Sequence, residues 1–173
     1  MQSNLTEKLK KVKLVVMDVD GTLTDGGMYY TAEGDVMKRF YVQDGMGITL
    51  LKFAHIEVAL LTSENSHIVQ ARGKKLGIKH VIIGCKEKKK ALQELTQELN
   101  LTLEEVAYIG DDINDAPPMK IVGISACPND AVDLIQKIAT YKCSKLAGHG
   151  AVREFIELLL AAQGKSNELP EKW

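Results

Sequence analysis

The chain has 173 residues, and its 22 basic and 23 acidic side chains leave a net charge of −1. A composition of 45% hydrophobic and 26% charged residues is typical of a soluble globular protein, here expected to fold as one domain over residues 1–173. The near-zero charge argues against a nucleic-acid binder, and no apolar run reaches the roughly 20 residues of a membrane-spanning helix. The first residues lack the apolar stretch of a secretion signal, so we expect a cytoplasmic protein.

Short apolar runs alternate with amphipathic stretches along most of the chain. The runs that predict buried strands are 13–17, 58–61, 81–83, 106–109, 122–125 and a weaker one around Tyr141. The stretches that predict helices are 46–54, 64–76, with Ser63 as a candidate N-cap, 88–99, 130–139 and 151–162. This order predicts an α/β fold, a Rossmann-like three-layer core with a parallel sheet and helices on both faces. Functional side chains of such a sheet gather at the carboxyl ends of its strands.

Residues 25–41 interrupt this alternation. Two β-rich runs flank residues 32–35, which predicts a β-hairpin that projects after the first strand. The hairpin has more apolar side chains than it can bury alone, namely Met28, Tyr29, Val36, Met37, Phe40 and Tyr41. We therefore expect this surface to pack on another subunit. At the other end of the chain, the polar residues 164–173 predict a loose tail.

Two groups of acids directly follow predicted buried strands. Asp18 and Asp20 follow the first strand, and the sequence GDDIND at 110–115 follows the fourth. Neighbouring acids repel each other, a cost that a purely structural role rarely justifies. They can supply a nucleophile, an acid/base and oxygen ligands for a divalent cation. The competing interpretation of each group alone is a polar turn or a solvated acidic loop.

Two further features fit phosphoryl chemistry. Thr62 and Ser63 follow the second strand, where a hydroxyl can hold a phosphoryl oxygen, although Ser63 also fits a helix cap. Lysines at 86 and 88–90 open a predicted helix, where the helix dipole disfavours cations. An anion can neutralise the charge of one of these lysines, while the others are expected to lie on a solvent-exposed face of the helix.

The ordered set DVDGT (18–22), Thr62, Lys88 and GDDxxD (110–115) resembles the haloacid dehalogenase superfamily of phosphohydrolases over nearly the whole chain. The resemblance implies that Asp18 is a nucleophile that forms an aspartyl-phosphate and that Asp20 is the acid/base. It implies that Thr62 binds the phosphoryl group and that Lys88 balances its charge. It also implies Mg²⁺ as the cofactor, held by Asp18, the carbonyl of Asp20 and Asp111, with support from Asp112 and Asp115.

The gaps between the first three motifs are too short for the cap domain that most members of this superfamily insert. The chain therefore resembles the capless branch, whose members form homotetramers through their hairpins, with a neighbouring chain helping to close each site. Within that branch four stretches resemble phosphatases of 2-keto-3-deoxy sugar acids: DGGMYY (25–30), VQDGMGI (42–48), VAYIGDDIND (106–115) and GHGAVREFIELLL (148–160). Known members act on 3-deoxy-octulosonate 8-phosphate or on nine-carbon 9-phosphates of the sialic acid type.

The length of the substrate stays open at this point. Eight-carbon enzymes usually read TGR where this chain reads TSE (62–64), and the acid, with a lysine on the following helix, resembles the nine-carbon group. The abundance of eight-carbon enzymes among known members instead favours the eight-carbon substrate. The residues that the resemblance assigns to substrate binding are Ser63, Glu64, Arg72, Lys75 and His149. Ser63 replaces a usual glycine, so either Thr62 or Ser63 is expected to contact the phosphate.

Three other functions compete with a small-molecule phosphatase. A receiver-like signalling module also arranges acids, a hydroxyl and a lysine around Mg²⁺, but its phospho-acceptor does not lie in a first-strand DxDGT. A silent tetramerisation scaffold, like the tail domain of sialic acid cytidylyltransferases, has usually lost motif acids that are all present here. A phosphatase of macromolecules needs an open site, which assembly through the hairpin would narrow.

Overall fold

The structure is a computed structural model that describes residues 2–171, with side chains from residue 4 onward. The strands in chain order are β1 (Leu14–Met17), β2 (Tyr29–Thr31), β3 (Gly34–Met37), β4 (Glu57–Leu61), β5 (His80–Ile82), β6 (Val106–Ile109), β7 (Ile124–Cys127) and β8 (Tyr141–Lys142). Six of them form one parallel sheet in the order β5-β4-β1-β6-β7-β8. Strands β1, β6 and β7 are buried throughout, as expected for strands covered on both faces.

Helices cover both faces of the sheet. They are α1 (Gln2–Lys11), α2 (Val42–Phe53), α3 (His67–Leu76), α4 (Lys88–Glu98), α5 (Ala116–Met119), α6 (Asp133–Ile138) and α7 (Ala151–Ala162). One core cluster joins α1, α2, α3 and α7 to the sheet, and a second joins α4, α5 and α6 to the opposite face. The predicted three-layer α/β fold with a parallel sheet is thus confirmed. No helix among residues 2–171 is long and apolar enough to cross a membrane.

Several element boundaries differ from the predicted ones because contacts distant in sequence decide them. Strand β7 begins at Ile124 rather than at the predicted residue 122. The Gly123 amide donates to the carbonyl of Leu103 at 2.8 Å instead of pairing in the sheet. Helix α3 begins at His67, not at residue 64, and Ser66 instead of Ser63 occupies its N-cap position. Helix α2 begins earlier than predicted, at Val42, and α6 is shorter, while α1 and α5 were not predicted.

The projecting hairpin is present, and β2 and β3 pair antiparallel as a separate two-stranded sheet. Its apolar side chains divide into two groups. Phe40 and Tyr41 are half-buried, whereas Met28, Tyr29, Val36 and Met37 are exposed to between 42% and 56%. Tyr30 adds to the exposed group. The hairpin therefore presents an unusually apolar surface to solvent in one copy of the chain.

The polar tail makes contacts with the rest of the molecule, and the loose segment that the sequence predicts over 164–173 stays a prediction. The Lys165 ammonium donates to the carbonyl of Ala54 at 2.6 Å, and Leu169 packs against the larger core cluster. Residues 172 and 173 lie outside the described residues.

Candidate active site

The candidate site lies where β1, β4 and β6 end. Strand β1 lies between β4 and β6, and Met17 is level with Leu60 on one side and with Ile109 on the other. Residues that directly follow these strands must therefore share one edge of the sheet. This register brings Asp18 beside the loops that carry Thr62 and the GDDIND sequence. Parallel strands produce such a grouping because all their carboxyl ends point the same way.

Lys88, the first residue of α4, reaches into this edge. Its ammonium donates to Asp18 Oδ1 at 2.5 Å and to Asp115 Oδ1 at 2.7 Å, and its side chain is 1% exposed. Burial acts against its charge, but the two carboxylates raise the pKa of Lys88 above its ordinary value. Lys88 is thus a buried cation held between two carboxylates. Their charge offsets the unfavourable helix dipole at the start of α4.

Asp115 is fully buried and has four donors. Its Oδ1 accepts from Lys88 and from the Tyr108 hydroxyl at 2.7 Å, and its Oδ2 accepts from the amides of Asp111 at 3.0 Å and Asp112 at 3.3 Å. A carboxylate offers about four lone-pair positions, so these donors saturate it. Asp115 therefore fixes Lys88 and the GDDIND loop in place. Tyr108 was not predicted, although a hydroxyl within an aliphatic buried strand signals a hidden polar partner.

Three carboxylates form a cluster with the spacing of a cation site. Oxygens of Asp18, Asp111 and Asp115 lie within 4.8 Å of one another. Burial, reinforced by Asp115, raises the pKa of Asp111 to about 6, and the same two causes, in the same order, raise the pKa of Asp18. The single ammonium of Lys88 offsets only part of the repulsion among three carboxylates, and such hard oxygen donors suit a divalent cation such as Mg²⁺. The donor set therefore fits the predicted cofactor, with Asp115 as a supporting residue.

The two other acids that the sequence assigned to the metal have different surroundings. Asp112 Oδ1 accepts from the amide of Ile113 at 2.6 Å, and the side chain begins a short 3₁₀ turn at the surface. The carboxyl group of Asp20 lies apart from the three-acid cluster. Its Oδ1 accepts from the ammonium of Lys38 at 2.7 Å, while its Oδ2 is buried with no hydrogen-bond partner among residues 2–171.

Thr62 and Ser63 lie in the loop after β4, at the same edge of the sheet. Thr62 is buried, and its hydroxyl accepts from the amide of Glu64 at 3.2 Å. The Ser63 hydroxyl donates to the carbonyl of Cys85 at 3.0 Å and accepts from the Asn114 amide at 3.1 Å. Ser63 thereby links three of the loops that form this edge, including the GDDIND loop.

The other predicted substrate-binding residues lie farther out. Arg72 stacks over the Phe40 ring at 5.3 Å, and Lys75 is exposed in the last turn of α3. Since α3 connects two parallel strands and runs back along the sheet, Lys75 lies towards the opposite edge within one copy of the chain. The loop of His149 is closer to the acids, because the Gly148 amide donates to the carbonyl of Thr22 at 3.3 Å.

Comparisons with known proteins agree with this geometry. A sequence profile of the haloacid dehalogenase-like hydrolases matches residues 59–156. The chain belongs to this family of hydrolases.

Particular relatives narrow the comparison. The chain is 40% identical to the 3-deoxy-D-manno-octulosonate 8-phosphate phosphatase of Haemophilus influenzae, over 94% of this chain and 91% of the relative. The cobalt-bound structure of the Haemophilus influenzae phosphatase superposes with a TM-score of 0.90 at 42% identity, covering 92% and 93% of the two chains. The phosphatase of Moraxella catarrhalis, solved with magnesium, phosphate and the sugar acid, gives a TM-score of 0.91 at 40% identity, covering 95% and 94%.

Proposed function

We propose that the protein is a Mg²⁺-dependent phosphatase that hydrolyses the phosphate monoester of a 2-keto-3-deoxy sugar acid. The observation that carries the proposal is the buried lysine shared by Asp18 and Asp115, with Asp111 beside it. This arrangement supplies a carboxylate nucleophile, a fixed positive charge and a cation site in one place, which phosphoryl transfer requires. The activity of the relatives supports the same reaction class.

The residues of the chain divide the work as follows. Asp18 attacks phosphorus, the bond from phosphorus to the sugar oxygen breaks, and Asp20 gives that oxygen its proton. Asp20 then takes a proton from the water that attacks the aspartyl-phosphate, which releases phosphate and restores Asp18. Lys88 keeps the Asp18 carboxylate in place and offsets the charge of the phosphoryl group, while Thr62 or Ser63 contacts it. Mg²⁺, held by Asp18, Asp111 and the carbonyl of Asp20, supplies further charge neutralisation.

For the substrate we propose 3-deoxy-D-manno-octulosonate 8-phosphate. The relatives compared above are phosphatases of this eight-carbon compound, and the match extends over almost the whole chain. Glu64 remains an argument for nine carbons. Lys75 is a weaker one in a single copy of the chain, because α3 carries it away from the strand ends.

The direct test measures phosphate release with Mg²⁺ from 3-deoxy-octulosonate 8-phosphate, a nine-carbon 9-phosphate and 4-nitrophenyl phosphate. We expect strong preference for the eight-carbon ester, loss of activity with a chelator, and its return with Mg²⁺. Asp18→Asn should keep the fold and lose more than about 10³-fold in turnover, since it lacks the nucleophile. Preference for nine carbons would correct the substrate alone. Absence of release from all three esters would instead favour a silent scaffold.

We also propose that the chain forms a homotetramer through its hairpin. The exposed side chains of Met28, Tyr29, Tyr30, Val36 and Met37 support this, because a single copy leaves them in water. Light scattering should show four copies for the wild type and fewer for Tyr30→Glu. Phe53→Glu is the matched control, since Phe53 is similarly exposed but lies at the end of α2. Unchanged assembly of Tyr30→Glu would refute the role of the hairpin.

A further inference from the structure

Lys38 follows the second strand of the hairpin, yet its side chain is 1% exposed. Its ammonium donates to Asp20 Oδ1 at 2.7 Å and lies 3.8 Å from Asp35 Oδ2. The two residues before it, Val36 and Met37 at the end of β3, are exposed to more than half of their area. The hairpin leaves apolar side chains in water but buries a lysine, so apolar packing does not account for the burial of Lys38. Burial of an ammonium is costly unless specific partners repay it.

A second contact fixes the position of this lysine relative to the core. Asp35 accepts a hydrogen bond from the Ser66 hydroxyl at 2.6 Å, and Ser66 is buried at the start of α3. Ser66, Asp35, Lys38 and Asp20 therefore form a continuous polar chain from α3 through the hairpin to the loop after β1. This chain connects the hairpin to the one carboxyl group that the reaction uses as acid and base.

The two oxygens of Asp20 are distinguished by this arrangement. Oδ1 is held by Lys38, whereas Oδ2 is buried and has no partner among residues 2–171. The terminal torsion of an aspartate is soft, so without a partner the carboxyl group would rotate freely. An ammonium that holds one oxygen orients the other. Oδ2 is then the oxygen of Asp20 that keeps its lone pairs free for a proton.

We propose that Lys38 is a positioning residue for Asp20 and directs its Oδ2 towards the leaving oxygen of the substrate. The inference rests on the proposed phosphatase function and adds a residue from the hairpin to it. In the first step the bond between phosphorus and the leaving oxygen breaks, its electron pair stays on that oxygen, and Oδ2 supplies the proton. In the second step Oδ2 takes a proton from the attacking water. Lys38 itself exchanges no proton.

The dependence on the leaving group separates this role from a purely structural one. A sugar alkoxide is a poor leaving group and needs protonation, whereas 4-nitrophenolate leaves with little help. A misplaced Asp20 should therefore slow the first step far more for a sugar phosphate than for 4-nitrophenyl phosphate, whereas the second step is common to both esters. A general loss of folding or of metal binding would lower both rates by the same factor.

The experiment measures kcat/KM of Lys38→Met on 3-deoxy-octulosonate 8-phosphate and on 4-nitrophenyl phosphate, both with Mg²⁺, because kcat/KM reports the step that releases the leaving group and not the later attack of water. We expect a loss of about 100-fold on the sugar ester and less than about 10-fold on the aryl ester, the size expected for a displaced acid. Lys38→Arg should recover part of the loss on the sugar ester. Lys79→Met is the matched control, since Lys79 is exposed, and both of its rates should equal those of the wild type.

The outcomes separate this inference from the function on which it rests. Equal losses on both esters, with an active wild type, would overturn the role of Lys38 and leave the phosphatase intact. No release by the wild type from either ester would overturn both. If Lys38→Met does not fold by circular dichroism, Asp35→Asn carries the same test, because it removes the anchor of Lys38 and keeps the lysine. It should show the same preferential loss on the sugar ester, and its absence would contradict the inference.

Discussion

Two buried lysines each hold one of the two acids of the DVDGT sequence, but the two lysines lie in different parts of the molecule. Lys88 holds Asp18 and opens α4, whose Leu92 and Leu95 are buried in the core. Lys38 holds Asp20 and follows a two-stranded hairpin that leaves much of its apolar surface in water. The core thus fixes the proposed nucleophile, whereas a peripheral element fixes the proposed acid/base. Two-stranded hairpins are marginal alone, so the second pair depends on what holds the hairpin.

The two pairs also differ in their exposure to solvent. The side chains of Asp18 and Asp115 around Lys88 are 7% and 0% exposed, while those of Asp20 and Asp35 around Lys38 are 19% and 25% exposed. Water can therefore solvate the acids that remain when Lys38 is removed, but not those that remain when Lys88 is removed. Removal of either lysine should cost activity, yet only removal of Lys88 should cost much stability.

The largest expected effect is that of Lys88→Met. Without metal, it leaves Asp18, Asp111 and Asp115 without their counter-charge, and the free energy of unfolding should fall by about 3–5 kcal/mol. Turnover should fall by more than about 100-fold, because Asp18 loses its partner. Urea denaturation without metal gives the stability, with Lys38→Met as the comparison. Equal losses of stability in the two variants would contradict the difference between the pairs.

A pair of glycine substitutions gives the next largest effect. Gly21 (φ +84°) and Gly34 (φ +125°) both have backbone angles that disfavour side chains. A Cβ at Gly21 would overlap the Asp111 carboxylate, whereas a Cβ at Gly34 has no neighbour within 4 Å among residues 2–171. Gly21→Ala should displace Asp111 and weaken Mg²⁺ activation by more than about 10-fold, in addition to the strain. Gly34→Ala should cost only about 1–2 kcal/mol of stability, the strain of the left-handed backbone.

The readout for this pair is activity as a function of Mg²⁺ concentration, together with thermal unfolding. Both variants carry the same added methyl group in a strained backbone, so only the space around it differs. A Gly34→Ala variant that needs as much additional Mg²⁺ as Gly21→Ala would show that the strand-end loop is no more constrained than the hairpin.

The sequence predicts the core pair better than the hairpin pair. Asp18, Lys88 and Asp111 are adjacent to strongly periodic segments, and the parallel sheet brings the ends of those segments together. Lys38 gave no comparable signal, because its contact with Asp20 depends on how the hairpin folds back on the loop after β1. A lysine among apolar hairpin residues reads as a surface charge until that contact is known.

Boundaries that depend on distant contacts were also missed. Ser63 fits a helix cap by local rules, but its hydroxyl bonds to Cys85 and Asn114, and the helix begins only after Ser66. Tyr108 likewise gave only a weak signal in the sequence. Its hydroxyl serves Asp115, and the importance of Asp115 becomes visible only when its four donors are counted together.

The smallest effects are expected for the two hydroxyls that donate to the second carboxylate partner of each lysine. Tyr108→Phe removes a donor to Asp115, and Ser66→Ala removes the donor to Asp35. A buried acceptor that loses a partner costs about 1–3 kcal/mol, so Tyr108→Phe should lie in that range. Ser66→Ala should cost less, because water can reach Asp35 and replace the lost donor.

The two variants should also differ in how their loss of kcat/KM depends on the ester. Asp115 keeps Lys88 and two amides after Tyr108→Phe, so the loss should be the same on 4-nitrophenyl phosphate and on the sugar phosphate. Ser66→Ala loosens the anchor of Lys38, and its small loss should fall mainly on the sugar phosphate, which needs a well-placed acid. Values of kcat/KM for both variants on both esters, with urea denaturation, check this. If Tyr108→Phe lost more activity on the sugar phosphate than on the aryl ester, the nucleophile and the acid would be held by one connected network rather than by two.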